Sequence, residues 1–197
     1  MIPHADDFHR VTHPLHGIQY VFLDRDGVIN RKAPEGQYIG RWRDFHLLPG
    51  VEEAIAALNR SGLRVIVITN QRGVALGRYT RADVEALHDR LREHLASHGA
   101  RIDAFYYCPH DRNQCDCRKP GTGLFEQAFR DFPEASRANS VVIGDSISDI
   151  EAARRLGLPA IFIEGDPETR KPGAAQATTL ADAVCASLPE AVRAFLP

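Results

Sequence analysis

Asp24 and Asp26 close the apolar run Val21-Phe22-Leu23 and are followed at once by Gly27. Two carboxylates one residue apart can divide the work of phosphoryl transfer, one attacking as a nucleophile while the other carries protons. Position matters as much as residue type. A short apolar run closed by a turn signal reads as a buried parallel strand, and in open α/β sheets ligands bind just beyond the carboxyl ends of such strands. By themselves the two acids could also be solvated turn aspartates, so the reading depends on what else the chain brings to strand ends.

Three further clusters fall at such places. After Val65-Ile66-Val67-Ile68 come Thr69, Asn70, Gln71 and Arg72, then Gly73; a hydroxyl, side-chain amides and backbone N–H groups suit phosphate oxygens. After Val141-Val142-Ile143-Gly144 come Asp145, Ser146 and Asp149, carboxylates placed to ligate a hard cation such as Mg2+, which takes one or two protein carboxylates and completes its shell with phosphate and water. In Arg118-Lys119-Pro120 a cation follows a loop and precedes a helix, where it can offset charge on a transferring phosphoryl group. Taken singly, Thr69-Asn70 reads as a capping turn, Asp145 as a helix N-cap and Lys119 as a solvated turn residue. Jointly, chance explains them poorly.

Cys108, His110, Cys115 and Cys117 lie within one short segment, residues 108–117. Three thiolates and an imidazole at this spacing match a closed tetrahedral Zn2+ site; a redox pair or unrelated core cysteines are the alternatives. Four protein ligands leave no open position, so a zinc there would be structural and would fold the loop that presents Arg118 and Lys119. Cys185 falls on an expected helix and reads as a small buried hydrophobe.

The elements that must position these residues alternate. Apolar patterning predicts strands over 19–24, 64–69, 104–108, 140–145 and 160–163, and helices over 51–61, 81–98, 123–132, 148–156 and 180–188. Thr80 reads as a helix N-cap, with Gly62 and Gly99 where C-terminal glycines belong. Such alternation implies a Rossmann-like three-layer α/β sandwich, a central parallel sheet with helices on both faces. Between Asp26 and the 64–69 strand there is room for a loop and one helix, and between Gln71 and Lys119 for a helix, a strand and the zinc loop, too little for a separate cap domain. Selectivity should then fall to the open loops 33–43, 71–74 and 111–118, where Arg31, Lys32, Arg41, Arg43, Arg72 and Arg118 are candidates for a second phosphate.

The 197 residues suggest a single domain over 18–197, preceded by a poorly ordered segment, 1–17, whose His4, His9, His13 and His16 are irregularly spaced and receive no function. Lys plus Arg (24) nearly balances Asp plus Glu (26), and no basic and aromatic stripe is evident, which argues against nucleic acid. No apolar run approaches the roughly 18 residues of a membrane span or resembles a signal peptide. The expectation is a cytoplasmic monomer acting on a small molecule.

With Asp24, Asp26, Thr69, Lys119 and Asp145 in this order, each beyond a strand or loop, the chain resembles the haloacid dehalogenase superfamily of phosphohydrolases. The resemblance implies that Asp24 attacks phosphorus to form an aspartyl phosphate, and that Asp26 protonates the leaving alkoxide and then activates water. It implies Thr69 and Lys119 on the phosphoryl oxygens, Asn70, Gln71, Arg72 and Arg118 around the substrate, and Mg2+ held by Asp24, the Asp26 carbonyl and Asp145, with Ser146 and Asp149 as auxiliaries. An acid at position 26 favours phosphatases over the family's ATPases, which lack it there. The zinc loop narrows the resemblance to capless members that act on small phosphorylated sugars. A non-catalytic, zinc-stabilised binding module is the alternative of another class.

Overall fold

Strand ends carry the chemistry, so the sheet comes first. In the computed structural model, which describes residues 17–34, 36–170 and 172–196, the apolar runs become β1 (Tyr20–Leu23), β2 (Arg64–Asn70), β3 (Ala104–Cys108), β4 (Ser140–Gly144), β5 (Ala160–Ile163) and β6 (Ala183–Cys185). All pairs are parallel and the order is β3-β2-β1-β4-β5-β6. The expectation for the histidine-containing segment falls on residues 1–16, outside the described residues.

Successive residues of a strand face opposite sides of the sheet, and here each side has its own core. Val21 and Leu23 of β1 join Val65, Val67, Val141 and Ile143 on one face, whereas Tyr20 and Phe22 join Ile66, Ile68 and Val142 on the other. The first face is covered by α1 (Val51–Arg60), α2 (Arg81–Ser97) and α6 (Leu188–Phe195), the second by α3 (Gly123–Asp131), α4 (Ile147–Leu156) and α5 (Ala174–Leu180). Burial on both faces explains why the central strands read as unbroken apolar runs. Phe22, fully buried, meets Phe125 and Phe129 edge-on at 5.4 and 5.5 Å; truncating such a side chain costs about 3–5 kcal/mol.

The strand order fixes where a ligand can sit. From β1 the chain moves outward through β2 to β3, then returns to the opposite side of β1 as β4. Loops leaving β1 and β4 therefore diverge, opening a crevice at their carboxyl ends. Asp24 and Asp145 are the first residues beyond those two strands. No second domain interrupts the described residues, in keeping with the expected capless sandwich.

One expected element is corrected. The helix anticipated over 180–188 is instead the end of α5, strand β6 and the start of α6. The alanine-rich run from Ala181 to Ala186 has the composition of a helix, but Ala183, Val184 and Cys185 pair with Ile161, Phe162 and Ile163, and Asp182 accepts from Ala160 N–H at 2.8 Å. Pairing to an exposed sheet edge outweighs local propensity. Ser187 then caps α6 by accepting from Glu190 N–H. Cys185 is thus on a strand, though buried as anticipated. Among the described residues no helix is long and apolar enough to cross a membrane.

Candidate active site

β1 delivers Asp24 into the crevice, and the turn after it must fold tightly back toward β4. Gly27 allows this: its φ is +97°, and a Cβ there would lie 1.7 Å from Asp145 Oδ2, so any side chain would collide with the facing carboxylate. Gly144 plays the same part on β4, since its Cβ would fall 2.3 Å from that of Asp149.

Lys119 enters from the loop before α3 and is almost fully buried. Its ammonium stands 3.0 Å from Asp24 Oδ1 and 2.6 Å from Asp149 Oδ1, and it donates to the Ile68 carbonyl. Burial works against the charge, but the Asp149 and Asp24 carboxylates more than offset it, holding the lysine pKa well above its ordinary value. Asp149 serves both neighbours: Oδ1 faces Lys119, while Oδ2 accepts from Ser146 N–H at 3.0 Å and Ser146 O–H at 2.6 Å, closing a capping box on α4. Carboxylate oxygens of Asp24, Asp145 and Asp149 lie within 4.8 Å of one another. The Lys32 ammonium contacts Asp145 Oδ2.

Asp26 is held from three sides. Arg25 Nη2 donates to its two oxygens at 3.0 and 3.1 Å, Asn30 Nδ2 donates at 2.9 Å and Gln71 Nε2 at 3.1 Å. Burial alone would raise this carboxyl's pKa, but the Arg25 charge and these hydrogen bonds outweigh it and hold it below the usual range. The trio Thr69, Asn70 and Gln71 at the end of β2 divides its work. Thr69 and Gln71 are joined by a 2.9 Å bond from Gln71 Nε2 to Thr69 Oγ1. Asn70 faces the Lys119 peptide, donating to its carbonyl and accepting from its N–H, both at 3.1 Å.

The basic residues separate into two groups. Lys32, Arg72 and Arg118 line the cleft. Arg118 Nη1 is buried without a hydrogen-bond partner, whereas Arg72 is engaged by Asp111 at 2.5 Å. Arg31, Arg41 and Arg43 are exposed and not part of the cleft wall, whereas Tyr38 and Ile39 of the 33–43 loop line it. Arg112, Arg137, Arg155 and Arg170, which the patterning did not single out, also line the cleft.

Beside Lys119, the four metal-type side chains converge. Cys108 Sγ is 3.5 Å from Cys115 Sγ and 3.7 Å from His110 Nδ1, while Cys117 Sγ is 3.2 Å from Cys115 Sγ and 3.3 Å from His110 Nδ1. None of the four cysteines is in a disulfide.

Residues 116–191 match the HAD-hydrolase-like family. Over 141 residues the chain is 44% identical to D-glycero-alpha-D-manno-heptose-1,7-bisphosphate 7-phosphatase of Mycobacterium bovis, covering 71% of this chain and 74% of that protein. The chain belongs to the haloacid dehalogenase-like phosphatases. Over 174 residues it is 38% identical to D-glycero-beta-D-manno-heptose-1,7-bisphosphate 7-phosphatase of Vibrio cholerae, covering 83% and 91% of the two chains. The crystal structure of the D,D-heptose 1,7-bisphosphate phosphatase from B. bronchiseptica, complexed with magnesium and phosphate, superposes with a TM-score of 0.78 at 28% identity, covering 90% of this chain and 98% of that one.

As a haloacid dehalogenase-like phosphatase the chain has braces that sequence patterning did not single out. Arg25 is fully buried, with its Nη1 3.3 Å from His88 Nε2 and its Nη2 3.1 Å from Gln71 Oε1. Tyr79 O–H donates to the same Gln71 oxygen at 2.7 Å, its ring so close to Gly40 and Gly73 that a Cβ on either would fall 2.5 or 2.4 Å from it. The available signal was the arginine itself: a cation between two acids at the end of a buried strand has to find partners inside.

Proposed function

We propose that this phosphatase removes the 7-phosphate of a D-glycero-D-manno-heptose 1,7-bisphosphate through an aspartyl-phosphate intermediate. The observation that carries the chemistry is the 3.0 Å approach of Lys119 Nζ to Asp24 Oδ1 at the switch point of the sheet, with Asp26 held alongside. The substrate is carried by the likeness to relatives named for that bisphosphate.

An Asp24 oxygen attacks phosphorus and the bond from phosphorus to the sugar oxygen breaks. Lys119 offsets the charge that gathers on the phosphoryl oxygens, and the Thr69 hydroxyl donates to one of them. Asp26 passes a proton to the departing sugar oxygen, then takes one from the water that attacks the phosphoaspartate, so that inorganic phosphate leaves and Asp24 is regenerated. In the free site Arg25 favours the Asp26 carboxylate; the negative charge of an incoming phosphate opposes that effect and favours its protonated form. Arg118, whose Nη1 is buried without a partner, is assigned to the second phosphate.

Both metals fit the donors present. Hard oxygens of Asp24 and Asp145 converge where Lys32 and Lys119 already supply positive charge; with the Asp26 carbonyl they would hold Mg2+, which would spread the charge of the transferring phosphoryl group. The Cys108, His110, Cys115 and Cys117 donors suit Zn2+. A tetrahedron with Zn–S bonds of about 2.3 Å has edges of about 3.8 Å, and the four separations given above run from 3.2 to 3.7 Å. Zinc there would be structural, anchoring the loop that carries Arg118 and Lys119. In this reading residues 18–197 act as one phosphatase domain, a cytoplasmic monomer that takes a small phosphorylated sugar and uses neither nucleic acid nor membrane.

The test is phosphate release, with Mg2+ present, from both anomers of the heptose bisphosphate, from the 7-monophosphate and from histidinol phosphate. The bisphosphate should lead the monophosphate in kcat/KM by about 10- to 150-fold, the equivalent of one charge-assisted phosphate contact at roughly 1.5–3 kcal/mol, and Arg118→Ala should narrow that lead. Equal kcat/KM for the two heptoses, or a preference for histidinol phosphate, would overturn the substrate assignment.

A further inference from the structure

Away from the cleft, Glu52 in the first turn of α1 meets His94 and His98 near the end of α2. Each offers a donor atom, and these atoms all lie within 4.8 Å of one another. His94 Nε2 is 3.1 Å from Glu52 Oε1, and the two imidazole centroids are 4.6 Å apart. None of the three lines the active-site cleft.

Helix electrostatics explain each residue singly, an acid near the start of one helix and imidazoles near the end of another. They do not explain the convergence. Residues four apart share a helix face, so His94 and His98 form a chelating pair, and Glu52 closes the set from the neighbouring helix. One nitrogen of the His98 ring is also anchored. Its Nδ1 is 2.9 Å from the His94 carbonyl, which takes the N–H there and leaves the lone pair on Nε2, the arrangement by which metal-bound histidines are usually fixed.

We infer that Glu52, His94 and His98 form a third metal site, for a borderline divalent transition ion such as Zn2+. Two imidazoles and one carboxylate select that class over Mg2+ or Ca2+, which prefer all-oxygen shells. With metal–ligand bonds of about 2.0–2.1 Å, tetrahedral donors stand about 3.3–3.4 Å apart, close to the 3.1 Å between His94 Nε2 and Glu52 Oε1; the ion replaces the proton shared there. Three protein ligands leave a position for water, so this ion exchanges readily, unlike one in a closed four-ligand site. Bound, it cross-links α1 to α2 over one face of the sheet.

Trp42 makes the site observable. It is the chain's single tryptophan, and its ring centroid lies 5.8 Å from that of His94. The full-length protein, with its tightly held zinc left in place, is titrated with Zn2+ by calorimetry and with Ni2+ by tryptophan fluorescence, alongside His94→Asn, His98→Asn and Glu52→Gln. The histidines of residues 1–16 are present throughout, so their uptake cancels between proteins. Wild type should take up one more Zn2+ per chain than either histidine variant, Ni2+ should quench Trp42 in wild type but in neither histidine variant, and Glu52→Gln should weaken binding and shift the quenching to about tenfold higher Ni2+. Equal uptake and equal quenching in wild type and the histidine variants would overturn the site. Histidine-ring NMR of wild type alone decides the matter if a variant fails to fold: Zn2+ must move the His94 and His98 resonances, and their standing still would equally overturn it.

Discussion

Lys119 Nζ and Asp149 Oδ1 meet at 2.6 Å, and neither side chain is more than 2% exposed. Asp149 belongs to the first turn of a helix, so one carboxylate joins the start of α4 to the cation that faces Asp24.

Removing that carboxylate should therefore damage two things at once. Asp149→Ala strands a buried ammonium with Asp24 as its remaining carboxylate and opens the α4 cap, and should cost about 3 kcal/mol of stability along with a tenfold or greater loss of kcat. Asp149→Asn, which keeps an acceptor for Ser146, should retain more stability than activity. Urea unfolding and steady-state kinetics on both variants check the split.

The two acids after β1 should fail differently. Asp24→Asn should abolish turnover and any trapped aspartyl phosphate while leaving the fold intact, whereas Asp26→Asn should slow turnover about 10²-fold or more, with the larger loss for poor leaving groups. Wild-type turnover by Asp24→Asn would end the covalent mechanism.

His88 gives a pH dependence whose sign follows from its burial. Burial first, then the Arg25 and Arg92 charges, push its pKa from 6.5 down to about 2, so the folded ring stays neutral while the unfolded ring takes a proton below its ordinary pKa. The unfolded state then binds more protons, and stability falls as pH drops from about 6.5 toward 2, at up to about 1.4 kcal/mol per pH unit. His88→Gln should flatten the unfolding free energy between pH 6 and 4 relative to wild type. An unchanged slope, or an NMR titration of His88 near 6.5, would show the ring charging inside the fold.

Metal removal should separate the catalytic Mg2+ from the loop zinc. EDTA should stop turnover quickly and Mg2+ should restore it, while elemental analysis still finds about one tightly held zinc per chain, because soft thiolates and hard carboxylates sort the metals. Cys115→Ser with Cys117→Ser should lose that zinc and most activity together. Full activity without zinc would remove the positioning role of the loop.

Much of this was legible beforehand because the central strands are buried on both faces, so Val21-Phe22-Leu23 and Val141-Val142-Ile143 announce themselves as apolar runs, and a strand's end places its next residue. Asp24 and Asp145 follow from that logic, whereas Lys119 and the zinc-type residues were named from residue type and spacing along one loop. The C-terminal edge was not legible: β6 is three residues of alanine-like composition, and its pairing with β5 is a long-range fact. Nor were the braces. Arg25, Tyr79 and His88 act through partners 46, 8 and 63 residues from their own positions, separations that no local pattern encodes. Arg41 and Arg43 misled for the converse reason, since a cation in a loop near a site carries no mark of which way it turns.

Asn70 grips the Lys119 peptide by both its carbonyl and its N–H, and the same loop is rooted at its other end in Cys108, the last residue of β3. The loop is a span fastened at two piers, with residues 112–114 hanging between them. Drift or design can exchange that tip without disturbing the lysine, making it the natural graft point for retuning substrate choice. The turn at Gly27 offers no such freedom, because it cannot take even a methyl group.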